Sequence, residues 1–281
     1  MPTFAAAHFD LRVTLECGQL FRFERATDRY LVRTHARAFC VRQQGDRLEY
    51  RGIDRATLIR FFRLDEDPAP MLRRLGQHRE LAESLKAWRG LRLIRQDPWE
   101  CLISFVSSSC CNIPRIQKML GALCKRYGRQ MQCGGSSCDG RCPFGDARPT
   151  VKAFPRPGVF NDPGELRALG FGYRAEYLAK ISRTVTPQWL EALRSLEYSV
   201  ARERLCTLPG VGGKVADCVL LFSLGFGEAF PIDVHVRRAA LRAPCFSGLT
   251  DREIAAHARE RYGADAGFAQ QLLFLQDQNG K

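Results

Sequence analysis

Acidic residues are the minority here: 30 Asp+Glu stand against 43 Lys+Arg, for a formal charge of +13. A balance of this sign suits an anionic partner such as nucleic acid or an anionic membrane surface, the alternative being a solvated basic surface. The cationic residues are scattered rather than gathered in a tail, so any binding face has to be built by the fold. No apolar run approaches the roughly eighteen residues of a membrane span. The first residues, MPTFAAAHFDLRV, lack the basic and apolar regions of a secretory signal. An intracellular chain is therefore expected, and its 12 cysteines read as reduced or metal-binding thiols rather than as a disulfide framework. Internal repeats and heptads are absent too, which excludes a solenoid or a coiled coil.

Two further absences narrow the chemistry. LPGVGGKVADC (208–218) ends its glycines on a lysine, as a phosphate loop would. Yet that motif needs a glycine where Leu208 stands and a hydroxyl where Val215 stands. No β-rich run precedes the glycines, so a dinucleotide cradle fails as well. The close cysteine group CGGSSCDGRC holds Cys133, Cys138 and Cys142 at gaps of four and three. Structural zinc usually draws on C-x₂₋₄-C pairs and four ligands. Even with Cys124 as the fourth, the fit is poor, and a Gly/Ser loop over 133–150 is the preferred reading. Cys101, Cys206 and Cys218 stand in apolar helical contexts, as small hydrophobes.

The local patterns do give elements. RAFCVRQQGDRLEY alternates around Gln44-Gly45-Asp46 and predicts a hairpin within strands running from Tyr30 to Arg51. Asp54 is a predicted N-cap ahead of the helical RATLIRFFRL, and most later segments are helical. The fold class expected is α+β, mostly α. A small antiparallel β-containing domain (1–95) precedes a helical domain (96–281) with a helix-hairpin-helix at about 198–224.

That hairpin turns on Pro209 to Gly213. Small residues let the turn approach another surface, and the second helix begins with free N–H groups that can bind DNA phosphate. Lys214 opens this helix. The positive end of the helix and its apolar neighbours Val215, Ala216 and Val219 disfavour the charged amine, which suits a nucleophile. A lysine contacting phosphate is the alternative. Nineteen residues on, PIDVHVRR offers Asp233 as an N-cap. Its carboxylate could also steady a developing positive sugar, and His235 could hold a phosphate.

A glycine hairpin, a lysine at its second helix and an aspartate some twenty residues later resemble the helix-hairpin-helix–Gly/Pro–Asp glycosylase superfamily. LECGQLFRF, DPWECLISFVSSS, LGFGYRAEYL, LPGVGGKVADC, PIDVHV and FAQQLLF, in that order, make the chain similar to the 8-oxoguanine DNA glycosylase family from about Leu11 to Phe274. The resemblance implies a TBP-like N domain, a monomer and an enzyme without a cofactor or a metal. It acts on duplex DNA carrying 8-oxoguanine opposite cytosine, flipping the base out. Lys214 and Asp233 would be catalytic, with strand cleavage by β-elimination. The base pocket would be Gly18, whose carbonyl accepts from the lesion N7–H, with Cys218, Gln270 and Phe274. DNA contacts would come from Asn112, Arg115, Tyr173, Arg174, Gly210, Gly212 and His235. Tyr173 would be the wedge, and Arg115 and Arg174 the candidates to read the orphaned cytosine.

One departure stands out: SSSCCNIPR carries Cys110 and Cys111 where the family has asparagines, leaving only Asn112. That bears on cytosine selectivity. Other readings are a relative for another damaged base and a non-catalytic DNA-binding hairpin. The first usually carries four close cysteines after the aspartate, whereas only Cys245 follows Asp233 here. Lys214 and Asp233 together disfavour the second.

Overall fold

A computed structural model of the chain describes residues 2–132 and 150–279. Five strands make one antiparallel sheet: β1 (Thr3–Ala5), β2 (Phe23–Ala26), β3 (Arg29–Arg33), β4 (Ala38–Gln44) and β5 (Arg47–Arg51), in the order β1-β5-β4-β3-β2. The predicted hairpin is β4–β5, with Gln44 opposite Arg47 and Gly45 at φ +55°. Two strands lie outside the predicted run. β2 pairs with β3, and β1 takes the free edge of β5 with Phe4 opposite Leu48.

The inner face of the sheet packs Val32, Phe39, Val41 and Leu48 onto α1 (Leu11–Glu16) and α2 (Arg55–Phe61). Asp54 caps α2 by accepting from Thr57 N, as its sequence position predicts. On the outer face, Leu31, Ala38 and Cys40 are covered by a two-stranded ribbon, β6 (Gln130–Gln132) and β7 (Thr150–Lys152), through Met131 and Val151. Burial on both faces explains why the alternation read from the sequence gives way to unbroken apolar runs at 30–32 and 38–41.

The rest of the described chain is helical: α3 (Ala69–Leu75), α4 (Ala82–Ala87), α5 (Pro98–Ser108), α6 (Ile113–Tyr127), α7 (Pro163–Ala168), α8 (Arg174–Thr184), α9 (Pro187–Ala192), α10 (Tyr198–Cys206), α11 (Gly213–Val219), α12 (Val234–Arg242), α13 (Asp251–Tyr262) and α14 (Ala266–Asn279). These helices build two apolar cores. One gathers Leu102, Leu120, Leu178, Leu205 and Val219 of the middle helices. The other joins Phe230, Val236, Ile254 and Leu272 to Leu75, Leu81 and Leu91. α3 and α4 therefore pack with the C-terminal helices, so the residues ahead of 95 serve two different cores.

The helix-hairpin-helix is α10 and α11, with α11 continuing as a π-helical turn over Leu220–Leu224. Asp217 locks the hairpin from within. It is buried and accepts from Tyr198 Oη at 2.8 Å and from Arg202 Nε at 2.9 Å, both on α10. Of the three cysteines read as small hydrophobes, Cys101 and Cys218 are buried. Cys206 instead lies exposed at the end of α10. Among the described residues no helix is long and apolar enough to cross a membrane, and no cluster of His, Cys, Asp or Glu could hold a metal. Cys133, Cys138 and Cys142 lie outside the described residues.

Candidate active site

Lys214 stands in the first turn of α11, behind Gly212, an N-cap that contributes no side-chain hydrogen bond. The turn before it depends on glycine at Gly210, whereas at Gly213 only the end of the Arg202 side chain would have to move. Gly210 has φ +74°, and a methyl there would stand 2.4 Å from Tyr177 Cδ2; a methyl on Gly213 would stand 2.1 Å from Arg202. Lys214 is half-buried. Its Nζ lies 3.4 Å from Ser108 Oγ and 5.1 Å from the centre of the Phe105 ring, both on α5.

The loop after α1 brings Gly18 to the same place. Cys17 O accepts from Gln271 Nε2 at 2.6 Å. Gln19 is fully buried and spends its amide on Thr14 O and Arg92 O, each at 2.8 Å, and on Ile94 N, also at 2.8 Å. Pinned on both sides, Gly18 adopts φ +81°, and a methyl on it would lie 3.2 Å from the Phe274 ring. Gln19 and Gln271 are residues that the sequence left without a role. Their signal was an amide set in an apolar stretch, which on its own does not say what it bonds.

Asp233 caps α12, accepting from His235 N at 3.0 Å and Val236 N at 2.9 Å, both at Oδ1. His235 turns its ring edge towards Phe274, with centroids 5.5 Å apart at 80°. Its Nδ1 lies 2.9 Å from Asp277 Oδ2, and Asp277 also accepts from Arg238 and Arg242. The hydrogen bond from His235, then Arg238, holds the Asp277 carboxyl below its ordinary range against the pull of burial. In this structure His235 is thus committed to a carboxylate on one nitrogen, and Gln278 lies 3.0 Å from the other.

Gln270 and Phe274 are one turn apart on α14 and share a face. Gln270 is buried, and its Oε1 has no hydrogen-bond partner among the described residues. A buried carbonyl oxygen left unpaired costs about 1–3 kcal/mol, which marks a position awaiting a donor. Cys218, one turn beyond Lys214, is buried; burial pushes its thiol up to about 12 against the pull of Lys214, so it faces the cleft as a neutral S–H. Gly18, Lys214, Cys218, Asp233, Gln270 and Phe274 line one cleft of about 740 Å³, with Asn112 and His235 also on its wall.

Of the remaining predicted contacts, Arg115, Tyr173, Arg174, Gly210 and Gly212 lie outside that cleft. Asn112 caps α6 by accepting from Arg115 N at 3.0 Å, and Arg115 itself is exposed in the first turn. Tyr173 is 55% exposed. Arg174 is only 4% exposed, and its guanidinium is spent on Ser109 O, at 3.0 Å from Nε, and on Phe171 O. It does not present itself to solvent as a base reader would. Instead it ties α8 to the turn after α5, where Cys110 is exposed with a left-handed backbone at φ +52°.

Comparison with known proteins bears on the family and the fold. Residues 3–102 match the family model for the N-terminal domain of 8-oxoguanine DNA glycosylase. A probable N-glycosylase/DNA lyase of Methanothermobacter thermautotrophicus is 32% identical over 213 residues, covering 70% of this chain and 67% of that protein. An N-glycosylase/DNA lyase of Arabidopsis thaliana is 38% identical over 211 residues, 70% of this chain, which span 53% of the plant protein's length. The fold superposes with a TM-score of 0.88 on the Clostridium acetobutylicum 8-oxoguanine glycosylase/lyase bound to DNA with cytosine opposite the lesion. That pair is 26% identical and covers 100% of this chain and 99% of the other.

Proposed function

The chain belongs to the 8-oxoguanine DNA glycosylase family, and from that premise we propose that it excises 8-oxoguanine from duplex DNA and nicks the resulting abasic site. The observation that carries this is the convergence of Gly18, Lys214, Cys218, Asp233, Gln270 and Phe274, from separate stretches of the chain, on one cleft. The lesion enters that cleft as a flipped base. Phe274 stacks on one of its faces, and Cys218 covers the other. Gln270 Oε1 accepts from the Watson–Crick edge, and the Gly18 carbonyl accepts from the N7–H that guanine lacks.

Lys214 acts as a neutral amine on the sugar C1′. A C1′–N bond forms as the bond to the base breaks, and the base departs with the electron pair and takes up a proton. The Asp233 carboxylate faces the positive charge that develops on the sugar. The sugar ring then opens to a Schiff base with Nζ, and loss of the 2′ proton expels the 3′ phosphate. This sequence uses only side chains and water, and works wherever the protein meets duplex DNA inside the cell. Gly210 and Gly212 approach the phosphate backbone, and Tyr173 fills the stack beside the extruded base.

Four duplexes carrying 8-oxoguanine opposite C, A, G or T test the proposal. Release of free 8-oxoguanine is expected opposite cytosine, and none from an undamaged guanine–cytosine duplex. No release from any of the four would overturn it. With Cys110 and Cys111 on the opposite-strand loop and Arg174 turned inward, the cytosine check falls on Arg115 and Asn112. The spread across the four duplexes is therefore expected to be shallow.

A further inference from the structure

A run of contacts leads from the hairpin turn to Lys214 in the cleft. The Tyr177 ring lies directly under the hairpin turn: a methyl on Gly210 would stand 2.4 Å from Cδ2 and 2.8 Å from Cγ. The same ring meets Tyr173 edge to face, with centroids 6.2 Å apart at 80°. Tyr173 is in turn covered by the Arg174 guanidinium, 4.4 Å from its ring centre, and Arg174 holds Ser109 O. Ser108, the neighbour of Ser109, faces Lys214 Nζ at 3.4 Å.

We infer that Tyr177 is a positioning residue that couples seating of the hairpin turn on the DNA backbone to insertion of Tyr173 beside the lesion. This rests on the reading of Tyr173 as the wedge. The exposed Tyr173 ring is held by the Arg174 guanidinium and by a hydrogen bond between its hydroxyl and Cys110, and Tyr177 is the contact that ties it to the hairpin turn. Gly210 has no side chain, so any shift of the turn passes to the Tyr177 ring without slack. The ring then passes it to Tyr173. The Tyr177 hydroxyl has no hydrogen bond among the described residues, so the coupling lies in the ring.

A double-mutant cycle between Tyr173→Ala and Tyr177→Ala tests this. The readouts are single-turnover excision and the fluorescence of 2-aminopurine placed beside the lesion. Tyr177→Ala is expected to slow excision about three- to tenfold, the range of an aromatic pair, and to dampen the fluorescence rise. Affinity for undamaged duplex should stay within about twofold, because the hairpin keeps its phosphate contacts. In the Tyr173→Ala background the same substitution should add nothing. Tyr177→Phe should restore wild-type behaviour in both readouts. Should Tyr177→Ala not fold, Tyr177→Leu keeps the bulk under Gly210, lacks the ring edge and takes its place in the cycle. Additive effects, or a Phe variant as slow as the Ala variant, would overturn the inference. A wild-type chain that raises the fluorescence but excises nothing would overturn the proposed function and leave the coupling readable by fluorescence. A wild-type chain that does neither overturns both.

Discussion

Gly18 meets two requirements at once. Its backbone is left-handed, where an L side chain is disfavoured by roughly 1–2 kcal/mol, and a methyl would press on Phe274 from 3.2 Å. The stability loss in Gly18→Ala should stay near the size of the backbone term, a few degrees of melting temperature. The catalytic loss should be larger if Phe274 stacks on the base as proposed, because the methyl displaces that ring. A small misplacement there lowers kcat/KM by about tenfold or more. Steady-state kinetics beside a thermal melt separate the two effects. An unchanged kcat/KM with a lowered melting temperature would remove Gly18 from the base pocket. Only family resemblance joined Gly18 to Phe274 in the sequence, since no periodicity links residues at opposite ends of a chain. Arg174 teaches the converse. Its sequence position is the same whether the guanidinium faces solvent or a carbonyl, and burial against Ser109 O decides it.

Among elements, the hairpin was the most legible, because its causes are local. A proline, left-handed glycine and an uncapped helix start are written within a few residues of one another. Asp54 and Asp233 were legible as caps for the same reason. β1 was not, since three residues carry no alternation and the strand exists only by pairing with β5. The packing of α3 and α4 onto the C-terminal core was equally hidden.

The contact of α5 with the sheet domain was missed too, and it carries a pH signature. Glu100 on α5 is fully buried, accepts from Arg22 at 2.9 Å, and leaves Oε2 without a partner among the described residues. Burial lifts its carboxyl to about 7, against the pull of Arg22. A carboxyl raised in the folded state binds its proton more tightly there than in the unfolded chain. Its contribution is therefore full below the ordinary value of 4.5 and is lost as pH rises through about 7. Urea midpoints of the wild type should fall between those pH values, and Glu100→Gln should flatten the fall. Parallel pH profiles for the two proteins would contradict this.

Across the whole molecule, the positive balance needed the fold to gain meaning. Of the 43 cationic residues 36 are arginine, scattered along the chain, and several are spent internally. Arg22, Arg174 and Arg202 hold Glu100, Ser109 and Asp217. The charge excess thus overstates what is free for phosphate, and the site is defined by convergence rather than by charge. That convergence makes one claim above all, that Lys214 is the nucleophile. The chain has only seven lysines, so a covalent intermediate can be assigned to one of them. Borohydride reduction during reaction with an 8-oxoguanine–cytosine duplex should trap a protein–DNA adduct mapping to the peptide that contains Lys214. The adduct should be absent in Lys214→Gln. An adduct of equal yield in that variant, or one mapped to another lysine, would contradict it.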